Sequence, residues 1–211
     1  MRSGSTVVYR TFQDTDFHAI ALIMERLWHA DSPNPDFNRL ESHHDCAYML
    51  AKATYSQVAV LRGEPVGIVL ARAGAPNDAW SARWNKVEEQ ALRQMKAFDD
   101  ELMSSYDAFM EGERRVNRQL AREAEVTKDA GELVLLAVDA AARGHGVGKH
   151  LLAYGKSYLA ERQALPGYLF TDTSCDWRFY EYLGLTRVAQ HSAEPHEVAI
   201  PPEMYLYRLD A

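Results

Sequence analysis

The chain is short of cysteine: Cys46 and Cys175 are the only two in 211 residues, and they stand far apart. That excludes a disulfide-stapled scaffold and a cysteine-pair metal site, and it predicts reduced thiols. Long apolar runs are missing too. No stretch approaches the roughly 20 residues that a membrane-spanning helix needs. Val7 and Val8 run at once into Tyr9 and Arg10, without the basic-then-apolar pattern of a secretory leader. A cytoplasmic protein with no membrane attachment is the expectation. Positive charge is in deficit: 23 Lys and Arg against 30 Asp and Glu leave a formal net charge of −7. Such a balance argues against nonspecific nucleic-acid binding and is compatible with an amine substrate. The run His43-His44-Asp45-Cys46 invites a metal reading. Adjacent helical positions diverge by about 100°, so the two histidines do not converge on one ion, and no metal is expected.

What is present is the composition of an ordinary globular protein, 47% hydrophobic and 25% charged. At this length a single domain over residues 1–211 is predicted.

The most informative stretch runs from Glu132 to Leu152. Leu133 to Val138 is an unbroken apolar run, which predicts a strand buried on both faces. Arg143 then opens a segment with Gly144, Gly146 and Gly148, after which Leu151, Leu152, Tyr158 and Leu159 recur at helical spacing. The order is strand, glycine-rich turn, helix. Glycines let successive N–H groups point into one concavity, and a helix starting there adds unpaired donors and the positive end of its dipole. Such a site suits a phosphate or diphosphate.

Two familiar phosphate loops do not fit. A Walker loop carries a glycine five positions ahead of the glycine–lysine pair, and Ser or Thr after it. Here Arg143 stands five before Gly148, and His150 follows Lys149. The dinucleotide fingerprint, started at Gly144 and Gly146, needs glycine where Lys149 stands.

Arg143, Gly146 and Gly148 instead form Arg-x-x-Gly-x-Gly, with Val138 five residues ahead of the arginine. This resembles the acyl-CoA diphosphate loop of the GNAT N-acetyltransferase superfamily. Ala140 replaces the proline that often follows the valine by two. A second point of resemblance is Phe179-Tyr180-Glu181-x-Leu183-Gly184-Leu185, similar to the Phe/Leu-Tyr-Glu-x-x-Gly-Phe signature near the end of such domains. The two motifs span roughly 132–190; the N-terminal half fits in outline only.

The resemblance implies an α/β fold with a mixed, mostly antiparallel twisted sheet flanked by helices. It implies direct transfer of the acetyl group of acetyl-CoA to a primary amine. Backbone groups of Leu136, Ala137 and Val138 would pair with the pantetheine arm. The turn of Arg143, Gly144, His145, Gly146, Val147, Gly148 and Lys149 would hold the diphosphate. Tyr180 falls at the family's general-acid position. Glu132 falls where histone-modifying members carry a glutamate base on the same strand, and its six-residue separation from Val138 predicts that both side chains share one strand face. Thr173 stands where the family often has asparagine against CoA. Cys175 reads as packing, since direct transfer needs no thiol nucleophile. The rival reading is a catalytically silent acyl-CoA sensor or scaffold of the same fold.

Along the rest of the chain, helices are predicted from Phe17 and over about 36–52, and a hairpin over 56–71. Trp28, Phe37 and Tyr48 are candidates to wall the acceptor site or to pack as core. From about 78 to 130 the pattern changes. Trp84, Val87, Ala91, Met95, Phe98, Leu102, Tyr106 and Phe109 step by three or four, which predicts one long amphipathic helix that Gly112 ends or bends. The resembled family usually passes quickly from its third strand to its fourth, so against it this segment looks like a long helical insertion between strands 3 and 4. Its apolar stripe needs a partner surface: the sheet, the acceptor site, or a second copy of the chain in a homodimer.

Overall fold

The computed structural model describes residues 6–29, 33–197 and 199–211. The described elements run β1 (Val8–Arg10), α1 (Phe17–Trp28), α2 (Pro35–Lys52), β2 (Tyr55–Leu61), β3 (Glu64–Arg72), α3 (Asp78–Phe98), α4 (Asp100–Glu123) and β4 (Glu132–Val138). After these come α5 (Val147–Glu161), β5 (Gly167–Asp172), α6 (Arg178–Tyr182), β6 (Thr186–Ser192) and β7 (Glu203–Leu209). The strands form one sheet in the order β1-β2-β3-β4-β5-β7-β6. Every neighbouring pair is antiparallel except β4–β5. This is the mixed α/β sheet expected, with α3 and α4 inserted between the third and fourth strands.

Alternation along the strands sends successive side chains to opposite layers. Val69 and Ala71 of β3 pack with Leu151 and Leu159 of α5 and Tyr180 of α6. Ile68 and Leu70 pack with Ile20 and Met24 of α1 and Leu50 of α2. On β7, Met204 and Leu206 meet Val116 and Leu120 of α4. Ile20, Met24, Leu50, Leu120 and Leu159 are wholly buried, and each such side chain contributes about 1.5–3 kcal/mol relative to exposure.

Strand β4 departs from its sequence reading. Leu133, Leu135 and Ala137 are buried, whereas Glu132, Val134, Leu136 and Val138 are half-buried, so only part of the strand is covered on both sides. The strand also carries a β-bulge. Leu133 pairs with Ala71 but Leu135 pairs with Leu70, which leaves Val134 as the surplus residue. Glu132 therefore lies opposite Arg72 and Val138 opposite Gly67. Those partners are five apart on β3, an odd number, so Glu132 and Val138 sit on opposite faces. The expectation that they share a face fails because one extra residue reverses the alternation.

The insertion also differs from its sequence reading. The helix breaks at Asp99, in extended conformation, whose carboxylate accepts the Glu101 and Leu102 N–H groups at 2.9 and 2.9 Å. Gly112 lies inside α4 instead of ending it. A β-carbon there would stand 2.5 Å from Ile200 Cγ2, so the glycine marks a close approach of α4 to the loop before β7. The apolar stripe is used within the chain. Met95, Met103, Tyr106 and Met110 pack with Phe37 of α2, while Val116 and Leu120 cover the β7 side.

Candidate active site

Strands β4 and β5 touch at one end only. They pair in parallel at Glu132 and Tyr168, backed by the Tyr168 N–H on the Gly131 carbonyl at 2.9 Å. Beyond that point no pairing joins them, so a wedge opens toward the C-terminal ends of both strands. The edge of β4 along Leu136 to Val138 is free on the β5 side.

At the mouth of the wedge the chain makes the glycine turn. Asp139 caps a short 3-10 turn over Ala140–Ala142 through the Ala141 N–H at 2.8 Å and also pairs with Arg26 of α1. Burial works to raise the Asp139 pKa, but the Ala141 amide and Arg26 outweigh it and hold it below the usual carboxylate range. Gly144 and Gly146 take φ of +78° and +67°, the left-handed region where a side chain is strained. The first bond of α5 runs from the His150 N–H to the Gly146 carbonyl at 3.1 Å. The amides of Val147, Gly148 and Lys149 thus stand ahead of the helical ladder. Val147 is buried and anchors the helix start, while Arg143, His145 and Lys149 are exposed. Gly148 serves packing instead, since a β-carbon there would lie 3.1 Å from Phe179 Cζ. The two motifs, distant in sequence, meet at this contact.

Tyr180 is buried beside Phe179 and Tyr207, on the α5 side of the sheet. Burial first, then Cys175, Asp176 and Tyr207, push its phenol well above the ordinary range, so it is protonated at neutral and moderately alkaline pH. Thr173 follows the end of β5 and is exposed, its hydroxyl accepting the Glu203 N–H at 3.4 Å. Burial, then Asp172, raise the Cys175 thiol, so it rests as a neutral group.

Glu132 sits at the closed end of the wedge. Arg72 donates to its Oε2 from Nε at 3.1 Å and from Nη2 at 2.6 Å, and Nη2 also lies 3.2 Å from the Tyr168 hydroxyl. Burial, then the Glu132 charge, push the Tyr168 phenol up to about 12. Glu132 lines a cleft of about 430 Å3 together with Tyr48, Lys52, Arg72, Asn85 and Glu88. It is therefore on the α2–α3 side, whereas Tyr180 is on the α5 side; only the open wedge connects them. Of the three aromatics singled out near the acceptor region, Tyr48 lines this cleft, Phe37 is core, and Trp28 packs against the α1–α2 layer. A smaller cleft, about 250 Å3, lies between the end of α4 and β7 and holds none of the predicted site residues.

The sequence reading missed a group of carboxyls between α2 and α4. Tyr106 donates to Asp45 Oδ1 at 2.6 Å and lies 2.8 Å from His44 Nδ1. Burial, then Asp45, push Glu41 up to about 8. Burial, then Asp45 and Asp172, push Glu113 up to about 7. One signal for Glu113 was present, since it falls in step with Tyr106, Met110 and Val116 on the buried stripe of α4. Glu41 likewise falls in step with Phe37, His44 and Tyr48 along α2.

Residues 21–185 match the model of the acetyltransferase (GNAT) family, and the chain belongs to that family. PH1933 from Pyrococcus horikoshii OT3 has the same fold, with 12% identity, a TM-score of 0.59, and coverage of 98% of this chain and 100% of that one. The ribosomal-protein-S18-alanine N-acetyltransferase from Escherichia coli gives 13% identity and a TM-score of 0.53, over 98% of this chain and 96% of that one. An aminoglycoside 6′-acetyltransferase type Ii gives 14% and 0.54, over 95% of each. Comparison with curated proteins returns no match. At these identities the likeness is one of fold.

Proposed function

We propose that the protein is an N-acetyltransferase that moves the acetyl group of acetyl-CoA to the primary amine of a small molecule by direct attack. The observation that carries this is the wedge between β4 and β5, ending in a turn whose amides stand ahead of the helical ladder. An extended amide-bearing arm fits along the free edge of β4. A diphosphate fits against the Val147–Lys149 amides, where the glycines leave no side chain in the way, with Arg143 and Lys149 adding positive charge.

Acetyl-CoA supplies an activated thioester. The chain then has three roles to fill. Amides of β4 polarise the carbonyl, a base takes the ammonium proton, and an acid protonates the departing sulfur. Glu132 is assigned as base. Arg72 occupies its Oε2 and none of the Arg72 bonds falls on Oε1, so one oxygen remains to accept a proton from the cleft. Tyr180 is assigned as acid; its raised pKa keeps the proton in place until sulfur calls for it. Glu132 takes one ammonium proton and passes it to solvent. As the N–C bond forms and the C–S bond breaks, Tyr180 gives its proton to the sulfur and is reprotonated, through solvent, by the second proton that the attacking nitrogen loses. The test is free-thiol release from acetyl-CoA across a broad amine panel. Release that depends on amine supports the transferase; tight cofactor binding with no release for any amine supports a silent binder.

A further inference from the structure

The cleft beside Glu132 lies within the size range of small-molecule sites. Its charged lining is balanced, Lys52 and Arg72 against Glu88 and Glu132. The Arg72–Glu132 pair is one-sided: all three Arg72 bonds use Nε and Nη2, and both bonds to Glu132 fall on Oε2. Nη1 of the guanidinium and Oε1 of the carboxylate take no part in these bonds, which leaves the pair one donor and one acceptor. Lys52 is less committed still. Its ammonium rests 3.4 Å from the centre of the Tyr48 ring and, among the described residues, its charge is felt by Glu113 of α4 without a close ion pair. A cation on an aromatic face keeps its N–H donors for an anion.

We infer that the acceptor is a zwitterion, an amine with a carboxylate on the same or the adjoining carbon. Lys52 and Arg72 Nη1 hold the carboxylate, and the amine faces Oε1 of Glu132. This rests on the acetyltransferase reading and adds the substrate class. Charge balance favours it. A zwitterion leaves the lining neutral, whereas a diamine sets a second cation against Lys52 and Arg72. A phosphate ester brings two negative charges toward Glu88 and Glu132. An α-amino acid carries its two opposite charges on one carbon, as Arg72 and Glu132 set two opposite charges in direct contact.

The experiment uses the full chain with CoA present. Thermal shift and calorimetry are run with the standard amino acids, their decarboxylated amines, their amides and phosphoethanolamine, beside thiol release from acetyl-CoA. At least one amino acid is expected to exceed its own amine and amide by roughly tenfold or more in kcat/KM, the scale of one charge-assisted contact. Lys52→Met brings that ratio close to one through KM, and Lys52→Arg keeps it. Stabilisation by amino acids without thiol release would keep the zwitterion site and remove the acetyl-transfer reading. Amines, amides or phosphoethanolamine turning over as well as the amino acids would overturn the zwitterion site and leave acetyl transfer standing. A preference that survives Lys52→Met in a folded, CoA-binding variant overturns it too, as does a panel in which nothing binds.

Discussion

The two sides of the wedge are built from different materials. The side proposed for the donor is backbone: a free strand edge, two glycines at positive φ, and amides ahead of a helix. The side proposed for the acceptor is side chains, drawn from α2, α3, β3 and β4 and flanked by the Glu113 carboxyl of α4. Backbone chemistry needs glycine at fixed spacing, so it leaves a motif. Side-chain chemistry assembled by packing leaves almost none, and it is free to differ between members of one fold.

The hardest blow to the donor side is Gly146→Asp. It forces a side chain into the left-handed region and sets a carboxylate against phosphates. Acetyl-CoA affinity in calorimetry should fall by about a hundredfold or more, and normal binding would dismiss the turn as the diphosphate site. On the acceptor side, Glu132→Gln should cost roughly a hundredfold in kcat at pH 7, the lower range for a lost base, with cofactor affinity kept. An unchanged kcat would transfer the proton to water.

Tyr180→Phe should come next, at about ten- to a hundredfold in kcat, widening as pH rises because solvent supplies fewer protons. The smallest expected effect is on stability. Glu41 and Glu113 have pKa values raised by burial, to about 8 and about 7, so the folded state binds protons that the unfolded chain releases. Their contribution is full below the ordinary carboxyl pKa and is lost as pH climbs to about 7 and 8. Melting temperature should therefore fall between pH 5 and 8. Glu113→Gln should flatten that fall and add ~1–3 kcal/mol at pH 8; an unaltered slope would mean Glu113 titrates normally.

The legible and illegible parts of the molecule follow the same division. Residues 143–149 and Phe179–Tyr180 were readable because turn geometry and a close helix contact restrict residue type. Helices α1, α2 and α5 and the β2–β3 hairpin were readable from periodicity. The break at Asp99 was misassigned to Gly112 because glycine has two uses, ending a helix and admitting a neighbour, and only the packed structure shows Ile200 in the second role. Asp99-Asp100-Glu101 did hold the capping signal. The Arg72 and Lys52 contributions were beyond reach, since both lie at ordinary element ends and acquire meaning only from what stands opposite.

The surplus Val134 settles which layer Glu132, the proposed proton acceptor, faces. Had that valine taken a regular place opposite Ala71, Leu133 would oppose Arg72 and Glu132 would move on to Ala73, beneath α5. A leucine would then face the cleft, and the carboxylate would enter a layer filled by Leu151 and Leu159, away from Arg72 and Lys52. Reactivity at this end of the strand is thus a matter of counting: one added or removed position exchanges the side chains offered to each layer while their identities stay the same.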